Sequence, residues 1–503
     1  MQKYVLAIDQ GTTSTRSILF DKQCNIISRS QIEHEQIFPQ PGWVEHNPVE
    51  ILNNTYKTML EVIDKKQIKP EQIVSIGITN QRETTILWDR LTGEPIHNAI
   101  VWQDDRTNKL VNDYIKSKGD DFFRQRTGLP ISSYFSALKI RWLIENITEA
   151  RDLIHKNRLL FGNIDSWLIW NLTGGAQNGV HITDVSNASR TLLMNLETLT
   201  WDDDILDFFD IPKSILPIIR PSIDSGIYGY SQVNNPYPIE IPICGAIGDQ
   251  QAATLGQACL NKGDSKNTYG TGCFIMYNTD EEIIYSKHGL LTTVYFQMNN
   301  DPPKYALEGS IANTGSLVQW LRDNLNLIDS SEEIELLANK VKDNGDVYIV
   351  PAFSGLLAPH WRSDARGIIM GITRYTNKNH IARAALESTA FQTKEIIDSM
   401  NKEVGVDLTT LKVDGGMVSN DLLMQFQADI LNCNVIRPKI SETTSLGAAF
   451  AAGLAIGYWE DIDEIRNIWL KEKQWSPTMS TNKIETYYSK WKQTVEKSLN
   501  WIS

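Results

Sequence analysis

The segment Ile8-Asp9-Gln10-Gly11-Thr12-Thr13-Ser14-Thr15-Arg16 combines groups that suit a phosphate chain. An apolar run, Tyr4 to Ile8, precedes it and another, Ser17 to Phe20, follows, so it reads as a tight β-hairpin tip. Gly11 is expected to take the positive φ that the turn needs. Thr12, Thr13 and Ser14 would offer hydroxyls and backbone N–H groups as a concavity for an anion. Arg16 adds positive charge, and Asp9, at the strand end, is placed to hold a hydrated divalent cation. These groups suit a nucleoside triphosphate; the competing reading is an ordinary polar hairpin. Asn267-Thr268-Tyr269-Gly270-Thr271-Gly272-Cys273-Phe274 repeats the plan about half a chain later. Two such elements, one per half, imply two related domains facing each other across a nucleotide. Neither a Walker phosphate loop nor a dinucleotide fingerprint occurs.

Three further turns carry polar residues at strand ends, where open α/β sheets place function. Arg82-Glu83 follows the strand Ile73 to Thr79 and can both donate to and accept from a neutral polyol, or form a plain surface ion pair. Gly248 is expected to turn the backbone sharply and leave Asp249 exposed after the strand Ile241 to Ile247. There Asp249 can accept a hydroxyl proton during attack on phosphorus, or cap a helix beginning near Gln251. Asp414-Gly415-Gly416 would let backbone approach a flat ligand, with Asn420 near a purine or ribose edge; Gly315 and Gln319 could cover the same nucleotide. Trp102, Tyr134 and Phe274 could wall a small-substrate pocket or simply fill core. The eight histidines include no HxxxH pair, which leaves metal-hydrolase and Ser/His/Asp readings without support.

The elements that must position these residues alternate strand and helix, so each half is an α/β layer structure. Helices are expected from Pro48 (capped by Asn47), over Ser136 to Ile144, Ser316 to Leu325, Ile381 to Ser399, Asp421 to Leu431 and Leu446 to Ile456. Thr84 to Trp102 reads as an inserted hairpin, Trp201 to Ile223 as a surface connection, and Trp475 to Ser503 as an amphipathic tail. At 503 residues the chain exceeds one core, and the boundary is expected near Leu255–Gly263. A net charge of −13 argues against nucleic acid or an anionic membrane as partner. Five scattered cysteines without CxxC spacing fit reduced thiols and no zinc site. No apolar run is long enough to span a membrane, and no signal peptide is read, so a cytoplasmic protein is expected.

Longer segments carry a resemblance. Tyr134-Phe135-Ser136-Ala137-Leu138-Lys139-Ile140-Arg141-Trp142 is one signature. Gly367-Ile368-Ile369-Met370-Gly371, continued by His380-Ile381 and Ala384-Ala385-Leu386-Glu387, is a second. With the turns above, in this order over about residues 3–460, they resemble the glycerol kinases. These form a branch of the carbohydrate kinase family that also contains xylulokinases and gluconokinases. The resemblance implies two actin-like ATPase (ribonuclease H-like) α/β domains flanking a deep cleft, residues 1–255 and 256–503. It implies Mg2+-assisted phosphorylation of glycerol by ATP to sn-glycerol 3-phosphate. Arg82, Glu83, Tyr134, Asp249 and Gln250 match glycerol-binding positions, with Trp102 and Phe274 against its carbons. Thr12, Thr13, Ser14 and Arg16 match the first phosphate turn; Thr271 and Gly272 match the second. Gly315, Gln319, Gly416 and Asn420 match ribose and base contacts. Asp9 and Asp249 match the carboxylates near the metal, and Asp249 the general base. A homodimer is implied as well.

Ser286 to Thr293 and Glu442-Thr443-Thr444 look closer to the eukaryotic type. Relatives inhibited by fructose bisphosphate carry a glycine-rich, arginine-bearing loop where this chain has Tyr230 to Pro238, so no such inhibition is expected. The alternatives are a kinase for another small polyol or dihydroxyacetone, and an actin-like ATP-binding protein without a small substrate.

Overall fold

The computed structural model describes residues 2–233 and 236–502. Two mixed sheets dominate it. The first sheet contains β1 (Tyr4–Gln10), β2 (Ser14–Phe20), β3 (Ile26–Glu33), β4 (Ile73–Asn80), β5 (Gly229–Tyr230) and β6 (Pro242–Gly248), in the order β5-β6-β4-β1-β2-β3. The second contains β7 (Ser265–Tyr269), β8 (Cys273–Asp280), β9 (Leu291–Phe296), β10 (Lys304–Ile311), β11 (Thr410–Asp414), β12 (Asn434–Pro438) and β13 (Lys471–Trp475), in the order β9-β10-β8-β7-β11-β12-β13. The repeated plan is plain. β3-β2-β1 and β10-β8-β7 are antiparallel, and two parallel strands follow each, β4 and β6 in one sheet, β11 and β12 in the other. Central β1 is buried along its whole length. Leu6 and Ile8 face one core while Val5 and Ala7 face another, as expected for a strand covered on both sides.

The helices that matter for the site are α1 (Pro48–Asp64), α2 (Ser136–Asn146), α3 (Ile164–Leu172), α4 (Asp249–Gly256), α5 (Gly315–Asp323), α6 (Lys378–Val404), α7 (Asp421–Leu431), α8 (Thr443–Ala455) and α9 (Thr481–Ser498). Asn47 caps α1 by accepting the Val49 and Glu50 N–H groups. Helix α8 comes late in the chain, yet it lies against β1, β4 and β6 of the first sheet and crosses α4. A methyl on Gly447 would sit 1.9 Å from the Ala252 carbonyl oxygen, and one on Gly256 2.0 Å from that of Thr443. The two backbones therefore touch, which only glycine permits. Val5, Ala252, Leu255, Met276, Ala448 and Ala452 share one core that continues across both halves. Helix α9 packs on the strand Tyr348–Val350 and meets α6 where Trp491 stacks on Phe391 at 5.2 Å.

One local expectation changes and another is extended. Residues 201–223 form no simple surface connection. A helix, Asp203–Phe209, and a short strand, Ile218–Arg220, fill them, and Ile205, Leu206, Phe209, Ile211 and Ile215 are buried. The spacing of those apolar residues is that of a helix face, masked by the aspartates between them. Residues 85–100 do pair as a hairpin, but Ile86–Asp89 also pairs with Leu159–Gly162 and Ala99–Ile100 with Glu45–His46. Helix α3 gave no periodic signal because all but one of its residues is buried. Of the Tyr230 to Pro238 loop, Asn234 and Asn235 lie outside the described residues. Among the described residues no helix is long and apolar enough to cross a membrane.

Candidate active site

The first hairpin forms between β1 and β2, closed by the Gly11 N–H to the Ser14 carbonyl at 2.9 Å. Gly11 is not among the residues with positive φ, contrary to expectation. A side chain there would meet nothing nearer than Ser14 O at 3.5 Å, so its absence leaves the hairpin mouth open. Thr12 Oγ1 accepts from Trp102 Nε1 at 3.0 Å, which frees the hydroxyl proton for an anion. The Ser14 hydroxyl is buried and accepts from Gln31 Nε2. Arg16 reaches Gln31 and, at 3.3 Å, Glu442 beside the start of α8. Asp9 is buried, and its carboxylate takes a hydrogen bond from Ser445 of α8 at 2.8 Å. Burial pushes its pKa up, opposed by the charge of Arg16.

The turn after β4 carries the densest charge. Arg82 is buried and makes a two-pronged pair with Glu308 of β10, Nη1 to Oε2 at 2.6 Å and Nη2 to Oε1 at 2.8 Å. Its Nε lies 3.1 Å from Asp249 Oδ1, and Nη1 also donates to Gln251. Glu83 adopts φ +60°, a left-handed conformation that costs a non-glycine residue about 1–3 kcal/mol. Its carbonyl accepts from the Ser136 and Thr85 hydroxyls, and its carboxylate accepts from Arg190 Nε at 2.7 Å. Burial raises the Glu83 pKa, with Arg190 and Arg82 opposing. Arg190 is wholly buried against the Tyr134 and Phe135 rings, with Nη2 3.4 Å from Glu308. The surface-pair reading of Arg82 and Glu83 is thereby excluded.

Asp249 opens α4, two residues earlier than expected, with Gly248 as the cap position. Gly248 has an ordinary negative φ. What it supplies is room, since a methyl there would lie 2.7 Å from Arg82 Cδ. Burial pushes the Asp249 carboxyl above the usual aspartate range, while Arg82 and Lys266 pull it back. The three aromatic rings meet: Trp102 lies edge-on to Tyr134 at 5.7 Å and to Phe274 at 5.9 Å, joining residues from both halves. Lys139, buried in α2, donates to the Ser133, Tyr134 and Phe135 carbonyls and so fixes the loop that carries Tyr134.

On the other side, the hairpin tip between β7 and β8 sits on the start of α5. The N–H groups of Thr314 and Ser316 donate to Thr271 O, and that of Gly315 to Gly270 O. Thr271 is exposed, while Gly272 is buried where a methyl would meet Ile311 O at 2.2 Å. Gly415 has φ +94° and touches the Tyr269 backbone, which brings Gly416 alongside this hairpin. Around Gly416 the space for a side chain is open. Asn420 caps α7 by accepting the Leu423 N–H, so its amide N–H groups remain for a ligand. Gln319 is exposed one turn along α5.

No motif pointed to Arg190, Glu308, Lys266 or Ser445. The usable signal was a lone charge inside an otherwise apolar run, as at Glu308 between Leu307 and Gly309, because such a charge must be paired when buried. Among the described residues no three His, Cys, Asp or Glu side chains cluster to hold a metal. Asp9 and Asp249 are single carboxylates, a donor set compatible with a cation that keeps most of its water.

The FGGY family of carbohydrate kinases matches twice, its N-terminal domain over residues 4–256 and its C-terminal domain over residues 265–456. The glycerol kinase of Pseudarthrobacter chlorophenolicus is 57% identical over 502 residues, covering 100% of this chain and 99% of that protein. The glycerol kinase of Brucella anthropi is 56% identical, covering 100% of both. The crystal structure of Plasmodium falciparum glycerol kinase with ADP superposes with a TM-score of 0.91 at 43% identity, covering 99% of this chain and 98% of that one. Matching both domains in order, with whole-length relatives at this identity, the chain belongs to the FGGY family of carbohydrate kinases.

Proposed function

We propose that this chain transfers the terminal phosphoryl group of ATP to a primary hydroxyl of glycerol, giving sn-glycerol 3-phosphate and ADP. The observation that carries this reading is the buried cluster of Arg82, Glu83, Arg190 and Glu308, set beside Asp249 and against the Trp102–Phe274 wall. A small neutral polyol offers little apolar area, so selectivity rests on fixed polar groups that satisfy its hydroxyls. An analogue lacking one hydroxyl would leave a remaining buried donor or acceptor position of Arg82 or Glu83 unfilled, a loss of up to about 10⁴-fold. A longer sugar would collide with the aromatic wall. Whole-length similarity to glycerol kinases supports the same substrate.

In this reading Tyr134, Arg82, Glu83 and Gln250 hold the acceptor. Asp249 takes the proton of the attacking hydroxyl as its oxygen bonds to the terminal phosphorus and the bond to the ADP oxygen breaks. Its raised pKa makes it a stronger base than a free aspartate. Thr12, Thr13, Ser14 and Arg16 on one side, and Thr271 and Gly272 on the other, receive the phosphates, while Gly315, Gln319, Gly416 and Asn420 border the nucleoside. Mg2+, when bound, supplies positive charge to the phosphates, and Asp9 and Asp249 would hold its water shell. The resemblance extends the proposal to a homodimer, which sedimentation would test.

ADP release with MgATP, with and without glycerol, tests the reaction. The expected result is glycerol-dependent turnover that Asp249→Asn lowers by about 10²–10⁴-fold. Turnover indifferent to glycerol would point to another acceptor. Full activity in Asp249→Asn would remove Asp249 as the base.

A further inference from the structure

Lys266 has no part in the reaction described so far. It lies in β7, the strand that leads into the second phosphate hairpin, and its side chain is fully buried. Among the described residues no carboxylate lies within ion-pair distance of its ammonium. Instead Nζ donates to Gln250 Oε1 at 2.5 Å, to Thr268 Oγ1 at 2.8 Å and to the Phe274 carbonyl at 3.3 Å. These neutral acceptors use every ammonium proton. Burying a cation in this way is costly, and burial pushes the Lys266 pKa down to about 8, with Asp414, Asp249 and Glu308 pulling it back.

What the lysine secures is specific. An ammonium only donates, so the Gln250 atom facing it must be the carbonyl oxygen. The amide N–H₂ group then has to point away from Lys266. Gln250 adjoins Asp249 in the first turn of α4, below the acceptor site. The other two acceptors belong to the strand entering the phosphate hairpin and to the aromatic wall. A single buried cation thus ties together a side chain that meets the acceptor, a wall that bounds it, and the hairpin proposed to hold phosphate.

We propose that Lys266 is a positioning residue that holds the Gln250 carboxamide as a hydrogen-bond donor to the acceptor polyol. The inference rests on the glycerol-phosphorylating reading above.

A double-mutant cycle on the full chain tests it, with kcat, KM for glycerol and KM for ATP measured for wild type, Lys266→Met, Gln250→Ala and the double variant. Lys266→Met should raise KM for glycerol at least about tenfold, while KM for ATP moves less than about threefold. In the Gln250→Ala background the same substitution should change KM for glycerol by less than about threefold, because the group it positions is gone. Lys266→Arg should recover most of the lost affinity. Equal factors in both backgrounds, or a parallel rise in both KM values, would overturn the proposal and leave Lys266 a general support of the fold. Should Lys266→Met fail to fold, Thr268→Val removes one acceptor and leaves the lysine in place. It should raise KM for glycerol with Gln250 present and not in Gln250→Ala; equal effects overturn the proposal. A wild type that shows no saturation by glycerol overturns the functional reading itself, separately from the cycle.

Discussion

A carboxylate enclosed by two guanidinium groups keeps its charge only while both remain beside it, and Glu308 is in that position between Arg82 and Arg190. Burial alone would raise its pKa, but the two arginines hold it down at about 2, against an ordinary 4.5. A depressed carboxyl pKa adds stability above the unfolded value and loses it as pH falls through the folded value. This contribution should therefore be complete above about pH 4.5 and fade toward pH 2. Glu308→Gln leaves two buried cations short of one counter-charge, and denaturant unfolding at neutral pH should show a loss of roughly 3–5 kcal/mol. An unchanged midpoint would mean that water or a shift of Arg190 compensates. Glu83, at φ +60°, shows the same economy from the other side: its strained backbone is held by Thr85, two residues on, and by distant Ser136, and its carboxylate by distant Arg190. Glu308, Arg190 and Ser136 could not be read locally, because such long-range pairing leaves no spacing in the sequence. Arg82, Glu83 and Asp249 were legible for the opposite reason, since each stands at the end of an apolar strand.

At the scale of elements, the two hairpins and the crossing of α4 with α8 fix the site. The hairpins were visible as apolar runs around Gly/Thr turns. The glycines and alanines of α8, Gly447, Ala448, Ala451, Ala452 and Gly453, permit close packing, but nothing in them names α4 or the first sheet as the partner. Here Gly447→Ala is the sharpest test, because the added methyl would lie 1.9 Å from the Ala252 carbonyl oxygen. Helix propensity alone would favour alanine by about 1 kcal/mol. Overpacking should win, with a net loss of roughly 1–3 kcal/mol in thermal or denaturant unfolding. A stabilised variant would show that the two helices separate easily. Ser445 and Glu442 lie in and beside the first turn of α8 and touch Asp9 and Arg16, so a shift of the helix should also reach the first phosphate hairpin.

For the molecule as a whole, the proposed acceptor site draws Arg82, Glu83 and Trp102 from the first half and Phe274 and Glu308 from the second. Any relative motion of the halves therefore makes or breaks it. Water would compete with glycerol as acceptor in an open site, so closure on substrates is expected. Small-angle scattering should show a smaller radius of gyration with glycerol plus a non-hydrolysable ATP analogue than without them. An identical radius in both states would sink the idea. Separate expression gives a further check on how the halves depend on each other. A fragment ending at Gly256 lacks α8 and leaves one face of β1, β4 and β6 uncovered, so it should be insoluble or bind a hydrophobic dye strongly.

The placement of α8 also bears on how the chain is made. A ribosome delivers the first sheet early, its last strand ending at Gly248, but the helix that covers one of its faces is not complete until Ala455. Throughout that interval the nascent chain must carry an apolar sheet face with no native cover. Folding of the first half is thus coupled to synthesis of most of the second, and chaperone demand during translation should track the delay before α8 emerges.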